Sequence, residues 1–177
     1  MKNKKEFIIF GSNFGSNTHL DAIKKICKKN VISICSPNIK NKKKFLKYKR
    51  FKDYNSALKK EYDFISIATP PKIQKEICKK ILKKENSSLY VLLEKPITEN
   101  FIETQKIIKR FQKKKINFLV NFIFVNIFEF IRLKNFIRKK KISFVKYKWL
   151  FKQKYFENKK KTWKTNHKIG GGIINYY

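Results

Sequence analysis

A run of apolar and aromatic residues, "LYVLL" at 89–93, ends abruptly on Glu94, Lys95 and Pro96. A lysine held at the end of a buried strand can polarise a substrate oxygen and exchange a proton with it. Pro96 restricts the backbone on which that lysine stands. A second candidate lies upstream. The stretch "GSNFGSNTH" at 11–19 sets Gly11 and Gly15 between a β-type segment and a helical one. A tight turn of small residues at such a junction lets backbone N–H groups and a helix N-terminus approach a pyrophosphate. The third candidate is "ATPP" at 68–71, which closes another β-type run. Ligands of open parallel sheets bind outside the carboxyl ends of the strands, so Thr69 and Pro70 would line the same crevice.

Each signal has a bland alternative. The chain carries 45 Lys+Arg and a formal charge of +33, so one more lysine says nothing alone. Asn13 and Ser16 occupy the second and third glycine places of a Gly-x-Gly-x-x-Gly fingerprint. Asparagine is tolerable there because it enters left-handed backbone conformations more readily than most residues. A Pro-Pro pair is by itself only a turn. After the second β-type run, "VISIC", Ser36 stands where such folds carry an acid for the adenosine ribose. With Lys40 and Lys42 downstream, this tilts slightly toward NADP over NAD.

The elements that must position these residues follow from periodicity. "FIIFG" (7–11), "VISIC" (31–35), "DFISIA" (63–68), "LYVLL" (89–93) and "INFLV" (116–120) read as strands. They are apolar throughout, as expected when helices cover both faces of a parallel sheet. Between them, apolar residues recur at helical spacing over 16–29, around 54–60, from Ile73 to Leu82, and at Ile107, Ile108 and Phe111. Glu99 and Glu103 are expected in the first turn of that last helix, where the macrodipole favours anions. The lysine-heavy stretch after Ser36 suggests one or two short helices. The fold class is therefore α/β, a doubly wound parallel sheet of Rossmann type.

After Asn121 the rhythm changes. Residues 127–138 suggest a helix and 142–156 a long strand or hairpin arm, so we divide the chain into 1–121 and the beginning of a second α/β domain, 122–177. Too few residues remain to close that second domain, and an N-terminal portion of a longer protein is the expectation.

Composition excludes little but weights much. Arginine occurs only at 50, 110, 132 and 138, and lysines scatter over every helix. A nucleic-acid reader would favour arginine for bidentate contacts, so no specific nucleic-acid partner is expected. Cys27, Cys35 and Cys78 lack metal-ligand spacing; buried free thiols in a reducing cytoplasm, and no metal, are expected. The run at 118–133 is too short and too polar to span a membrane, and the N-terminus has no signal-length apolar stretch.

Taken in order, "GSNFGSNTH", "DFISIATPP", "VLLEKPIT" and "GGGII" resemble the Gfo/Idh/MocA (glucose–fructose oxidoreductase/inositol dehydrogenase) family along nearly the whole chain. Glu-Lys-Pro after an apolar strand is its most specific mark. The resemblance implies NAD or NADP as cofactor. It implies that Gly11, Ser12, Asn13, Phe14, Gly15, Ser36, Thr69, Pro70, Glu94 and Lys95 surround the cofactor, and that Lys95 also meets substrate as the catalytic residue. It further implies hydride transfer to or from a sugar, cyclitol or sugar-nucleotide carbon, in a homo-oligomer when full length. His19 is expected to pack or cap. Two departures stand out. Gln74 replaces a histidine common after the Pro-Pro loop, and Tyr176 stands at the aspartate place beyond Gly170–Gly172. The acid/base histidine would fall past Tyr177, and His167 is no substitute for it. A non-catalytic nucleotide-binding relic or regulator, a basic nucleic-acid-binding protein, and a binding subunit completed by another chain are the competing expectations.

Overall fold

The computed structural model describes residues 4–26, 30–39, 43–84, 89–138, 140–146, 148, 150 and 162–171. Six strands form one parallel sheet: β1 (Glu6–Phe10), β2 (Val31–Cys35), β3 (Lys49–Phe51), β4 (Phe64–Ile67), β5 (Tyr90–Leu93) and β6 (Asn117–Val120). Their order is β3-β2-β1-β4-β5-β6, with a reversal between β1 and β4. That reversal opens a crevice at the carboxyl ends of the two central strands, where doubly wound sheets take their ligands.

The alternation along β1 explains the two layers. Phe7 and Ile9 face one side and pack with Ile34, Leu20, Ile23, Ile39 and Phe45. Ile8 and Phe10 face the other and pack with Ile65, Ile67, Val91, Leu93, Ile77, Ile81 and Phe111. Successive strand residues point to opposite faces, so a strand buried on both must be apolar at every position. Helix α1 (Leu20–Ile26) covers the first face; α2 (Tyr54–Leu58), α3 (Pro71–Ile81) and α4 (Phe101–Lys113) cover the second.

Local signals set the helix starts. Asp53 caps α2 by accepting the Ser56 N–H at 2.7 Å, and Asn100 caps α4 by accepting the Glu103 N–H at 2.9 Å. Pro71 opens α3 at the position where a missing N–H does no harm. Glu99, expected inside the first turn of α4, instead lies before the cap and pairs with Lys75 at 2.9 Å. Asn100 outcompetes it because its short side chain reaches the free N–H groups.

Two other expectations change. β3 was not legible: Lys49 and Arg50 are exposed, and only pairing with β2 through Ser33, Ile34 and Cys35 makes them a strand. Charged residues are what a sheet edge tolerates. Residues 142–146, 148 and 150 carry no strand, while 151–156 lie outside the described residues. The helix expected at 127–138 is present as α5 (Phe128–Ile137).

Asp63 ties the starts of β1 and β4. Its carboxylate accepts the Glu6 N–H at 2.8 Å and the Lys5 ammonium at 2.9 Å. The Glu6 bond, then Lys5, holds Asp63 below its ordinary 3.8. A depressed carboxylate stabilises the fold above its unfolded pKa and loses that contribution as pH falls through the folded value. An Asp63→Asn chain should therefore show a shallower loss of stability below pH ~4 in acid titrations followed by circular dichroism. An unchanged acid limb would contradict this role.

Cys35 and Cys78 are free and buried, and burial pushes both thiols up to about 12. They are inert core residues under these conditions; Cys27 lies outside the described residues. Among the described residues, no helix is long and apolar enough to cross a membrane.

Candidate functional site

Register brings the candidate residues into one row. Cys35, Phe10, Ile67, Leu93 and Val120 are paired across the sheet. The residue after each strand continues the ladder by one bond. Gly11 N–H reaches Cys35 O at 2.9 Å, Ala68 N–H reaches Phe10 O at 2.8 Å, Glu94 N–H reaches Ile67 O at 3.1 Å, and Asn121 N–H reaches Leu93 O at 2.8 Å. Ser36, Gly11, Ala68, Glu94 and Asn121 thus stand side by side along the carboxyl edge.

The two glycines of the first turn are required by that crowding. Gly11 has φ +115°, and a Cβ there would lie 2.4 Å from the Ala68 carbonyl oxygen. A Cβ on Gly15 would lie 2.7 Å from the Ala68 Cβ. Beyond Gly15 the chain makes a π-turn, Gly15–His19, that runs directly into α1. Its N-cap is Phe14, which supplies no side-chain cap. The helix therefore begins without the side-chain acceptor that α2 and α4 have, and its dipole favours an anion at that end. Ser36 Oγ donates to Ser12 Oγ at 3.0 Å, closing the β2 side of the turn.

On the β4 side, Thr69 Oγ1 is buried and has no hydrogen-bond partner among the described residues. Buried hydroxyls are rarely left so, because desolvation without a partner costs about 1–3 kcal/mol. Such a hydroxyl after β4, with a helix start whose N-cap Phe14 offers no side-chain acceptor, fits a dinucleotide, whose phosphates and amide can accept hydrogen bonds.

The Glu94–Lys95–Pro96 turn is held by a buried polar network. His19 Nδ1 lies 2.5 Å from Ser66 Oγ, and His19 Nε2 lies 2.9 Å from Glu94 Oε1. The same carboxylate oxygen accepts the Asn121 amide at 2.6 Å. A carboxylate can only accept, so Nε2 carries a proton and Nδ1 is left to meet the serine. His19 therefore neither caps nor merely packs; it ties the Gly15–His19 turn to β4 and to the turn after β5. Gln74, on the buried face of α3, bonds the backbone of Glu94, Pro96 and Ile97, and the Lys95–Pro96 peptide is cis.

Lys95 itself is half-buried. Burial lowers its pKa from the ordinary 10.5; Glu94 opposes this and Lys164 adds to it. Lys164 belongs to a 3-10 turn, Trp163–Thr165, in the C-terminal segment. That segment is drawn against the rim of the crevice: a Cβ on Gly170 would lie 3.1 Å from Pro71 and 3.3 Å from Glu99 Cα. Gly171 meets the Trp163 carbonyl oxygen even more closely, at 2.0 Å from its ideal Cβ position.

Gly11, Ser12, Gly15, Ser36, Thr69, Pro70, Glu94 and Lys95 thus all follow the carboxyl ends of β1, β2, β4 and β5, and Asn13, Phe14 and Pro70 are exposed. Lys40 and Lys42 lie outside the described residues. Ser66 and Asn121 escaped sequence reasoning, although a serine inside an apolar strand was a usable signal. Among the described residues, no group of three His, Cys, Asp or Glu could hold a metal ion.

The sequence profile of the Gfo/Idh/MocA oxidoreductases, described as an oxidoreductase family with an NAD-binding Rossmann fold, matches residues 5–122. The chain belongs to this family. Among solved structures, it resembles the WlbA (WbpB) dehydrogenase of Thermus thermophilus in complex with NAD and α-ketoglutarate. The TM-score is 0.71 at 16% identity, over 97% of this chain and 58% of that one. The Chromobacterium violaceum WlbA dehydrogenase, in complex with NADH and UDP-GlcNAcA, gives 0.66 at 16% identity over 81% and 42%. A 3-ketoreductase from Actinomadura kijaniata, in complex with TDP-benzene and NADP, gives 0.64 at 17% identity over 77% and 44%. These likenesses show the fold. The chain spans about half the length of these Gfo/Idh/MocA-type relatives. Comparison with curated proteins returns no match.

Proposed function

We propose that this chain is the cofactor-binding half of a dehydrogenase that moves hydride between a nicotinamide and a CH–OH carbon of a sugar, cyclitol or sugar nucleotide. The observation that carries the reading is a half-buried lysine of lowered pKa at the crevice, on a turn anchored from three sides. Gly11 to Gly15 and the uncapped helix end would take the pyrophosphate, with Ser36 toward the adenosine ribose and Thr69 toward the nicotinamide side. The bound cofactor would supply the hydride acceptor or donor. Lys95 would hold the reacting oxygen and exchange its proton, a task that lowering its pKa toward neutrality assists.

Residues 1–121 would form the cofactor domain and 122–177 the beginning of the substrate domain. In support, Phe122, Val125, Phe128, Leu133, Phe136 and Phe144 are all exposed, an apolar surface that a further domain would cover. The relatives whose structures hold UDP-GlcNAcA or TDP-benzene favour a nucleotide-linked sugar as substrate.

Thermal melts with added NAD⁺ and NADP⁺ test the binding claim. Saturation at about 100 times Kd adds about 2.7 kcal/mol and should raise Tm by roughly 5–10 °C. A folded chain whose melt ignores both nucleotides at millimolar levels would refute cofactor binding. Whichever nucleotide shifts Tm at the lower concentration identifies the preferred one.

A further inference from the structure

Gln74 is fully buried, on the same face of α3 as Ile77, Cys78 and Ile81. Nothing apolar is gained by an amide there, and an unpartnered one would be strongly disfavoured. Its partners are all backbone atoms of one turn. Nε2 donates to Glu94 O at 2.7 Å, Pro96 O at 3.1 Å and Ile97 O at 3.1 Å, while Oε1 accepts the Glu94 N–H at 3.2 Å. Two amide hydrogens serve three carbonyls, so one is shared. These contacts fall on the residues flanking Lys95 on both sides.

We propose that Gln74 is a positioning residue: its buried amide fixes the Glu94–Ile97 turn and so decides where Lys95 presents its ammonium group. Side chains at 74 that cannot donate to several carbonyls at once leave this turn free to open toward water. Among the described residues, the charged groups that act on the Lys95 ammonium include Glu94, from the same turn, and Lys164, from the Trp163–Thr165 turn. The Glu94 carboxylate is itself held by His19 and Asn121, an anchor separate from the bonds Gln74 makes to the Glu94 backbone. Opening the turn would rehydrate Lys95 while leaving the carboxylate in its network. The functional importance of this placement rests on Lys95 being the acid/base group.

The test reads Lys95 directly. The ¹³Cε resonance of Lys95, assigned by its loss in Lys95→Arg, is titrated in the wild-type chain, in Gln74→Met and in the milder Gln74→Asn. Lys84, also lowered by burial but in the turn past the far end of α3 and bonded to Lys60 O, serves as the internal control. Lys95 should titrate higher in either folded variant, moving toward 10.5, while Lys84 stays put. An unchanged Lys95 midpoint in a folded variant overturns the proposal, as does an equal movement of Lys84. Failure of both variants to fold would also overturn it, marking Gln74 as structural only. No cofactor is present in this titration. A chain that binds no nicotinamide would therefore defeat the proposed function and leave this outcome standing on its own.

Discussion

A Gly11→Ala chain should unfold some 5–15 °C below the wild type and should not be rescued by either nicotinamide cofactor. The two effects share a cause. At φ +115° an L-residue is strained, which costs of order 1–3 kcal/mol. In addition the new Cβ would sit 2.4 Å from a backbone oxygen of Ala68, which belongs to the strand end and cannot swing aside. Displacing either partner adds a further penalty of about 1–3 kcal/mol. Separation of the β1 and β4 ends would also move Thr69 away from the first turn, dismantling the crevice between them. Paired melts with and without NAD⁺ or NADP⁺ measure both effects. A variant that melts normally and still responds to cofactor would show that the turn is not the binding element.

Replacing Lys95 by methionine should have opposite effects on stability and on chemistry. The Lys95 pKa is lowered in the folded chain, so below the folded value both states are protonated and the folded state alone bears the burial penalty. Between that value and 10.5 the unfolded chain holds more protons, and stability rises with pH. Lys95→Met should abolish this rise and should be at least as stable as the wild type at pH 7, by urea denaturation. If the proposed dehydrogenase reading holds, the same change in a longer protein that carries the proposed substrate domain should reduce hydride transfer by about 10²–10⁴ with cofactor affinity nearly unchanged. Stopped-flow nicotinamide absorbance reads the first, and fluorescence titration the second. Equal turnover in the variant would remove Lys95 from the chemistry.

Gln74 shows how a departure in sequence becomes interpretable. By sequence it was a missing histidine; in the fold it supplies both kinds of hydrogen bond to the turn it lies under. A glutamine amide can donate and accept at once, which is what a turn ending in a proline needs from a neighbour. Glu94 illustrates the complement. The family resemblance sets it among the residues around the cofactor. In the fold its carboxylate is occupied by His19, from the Gly15–His19 turn, and by Asn121, just past β6.

The sequence by itself determined five of the six strands and that the candidate residues follow their carboxyl ends. Short apolar runs alternating with helical spacing can bury their surface only as a doubly wound sheet, and glycines, Pro-Pro and Glu-Lys-Pro mark its carboxyl ends. What those signals share is locality: each is a property of ten residues or fewer. Tertiary structure alone decided β3, because Lys49 and Arg50 are strand residues only by virtue of the β2 edge they pair with. It decided the roles of His19, Ser66, Gln74 and Asn121, whose partners lie 20 to 75 residues away in the chain. It also placed Lys164 near Lys95, where it adds to the lowering of that lysine's proton affinity. Hydrogen-bond partnership and proton affinity depend on neighbours in space, and a one-dimensional pattern does not specify them.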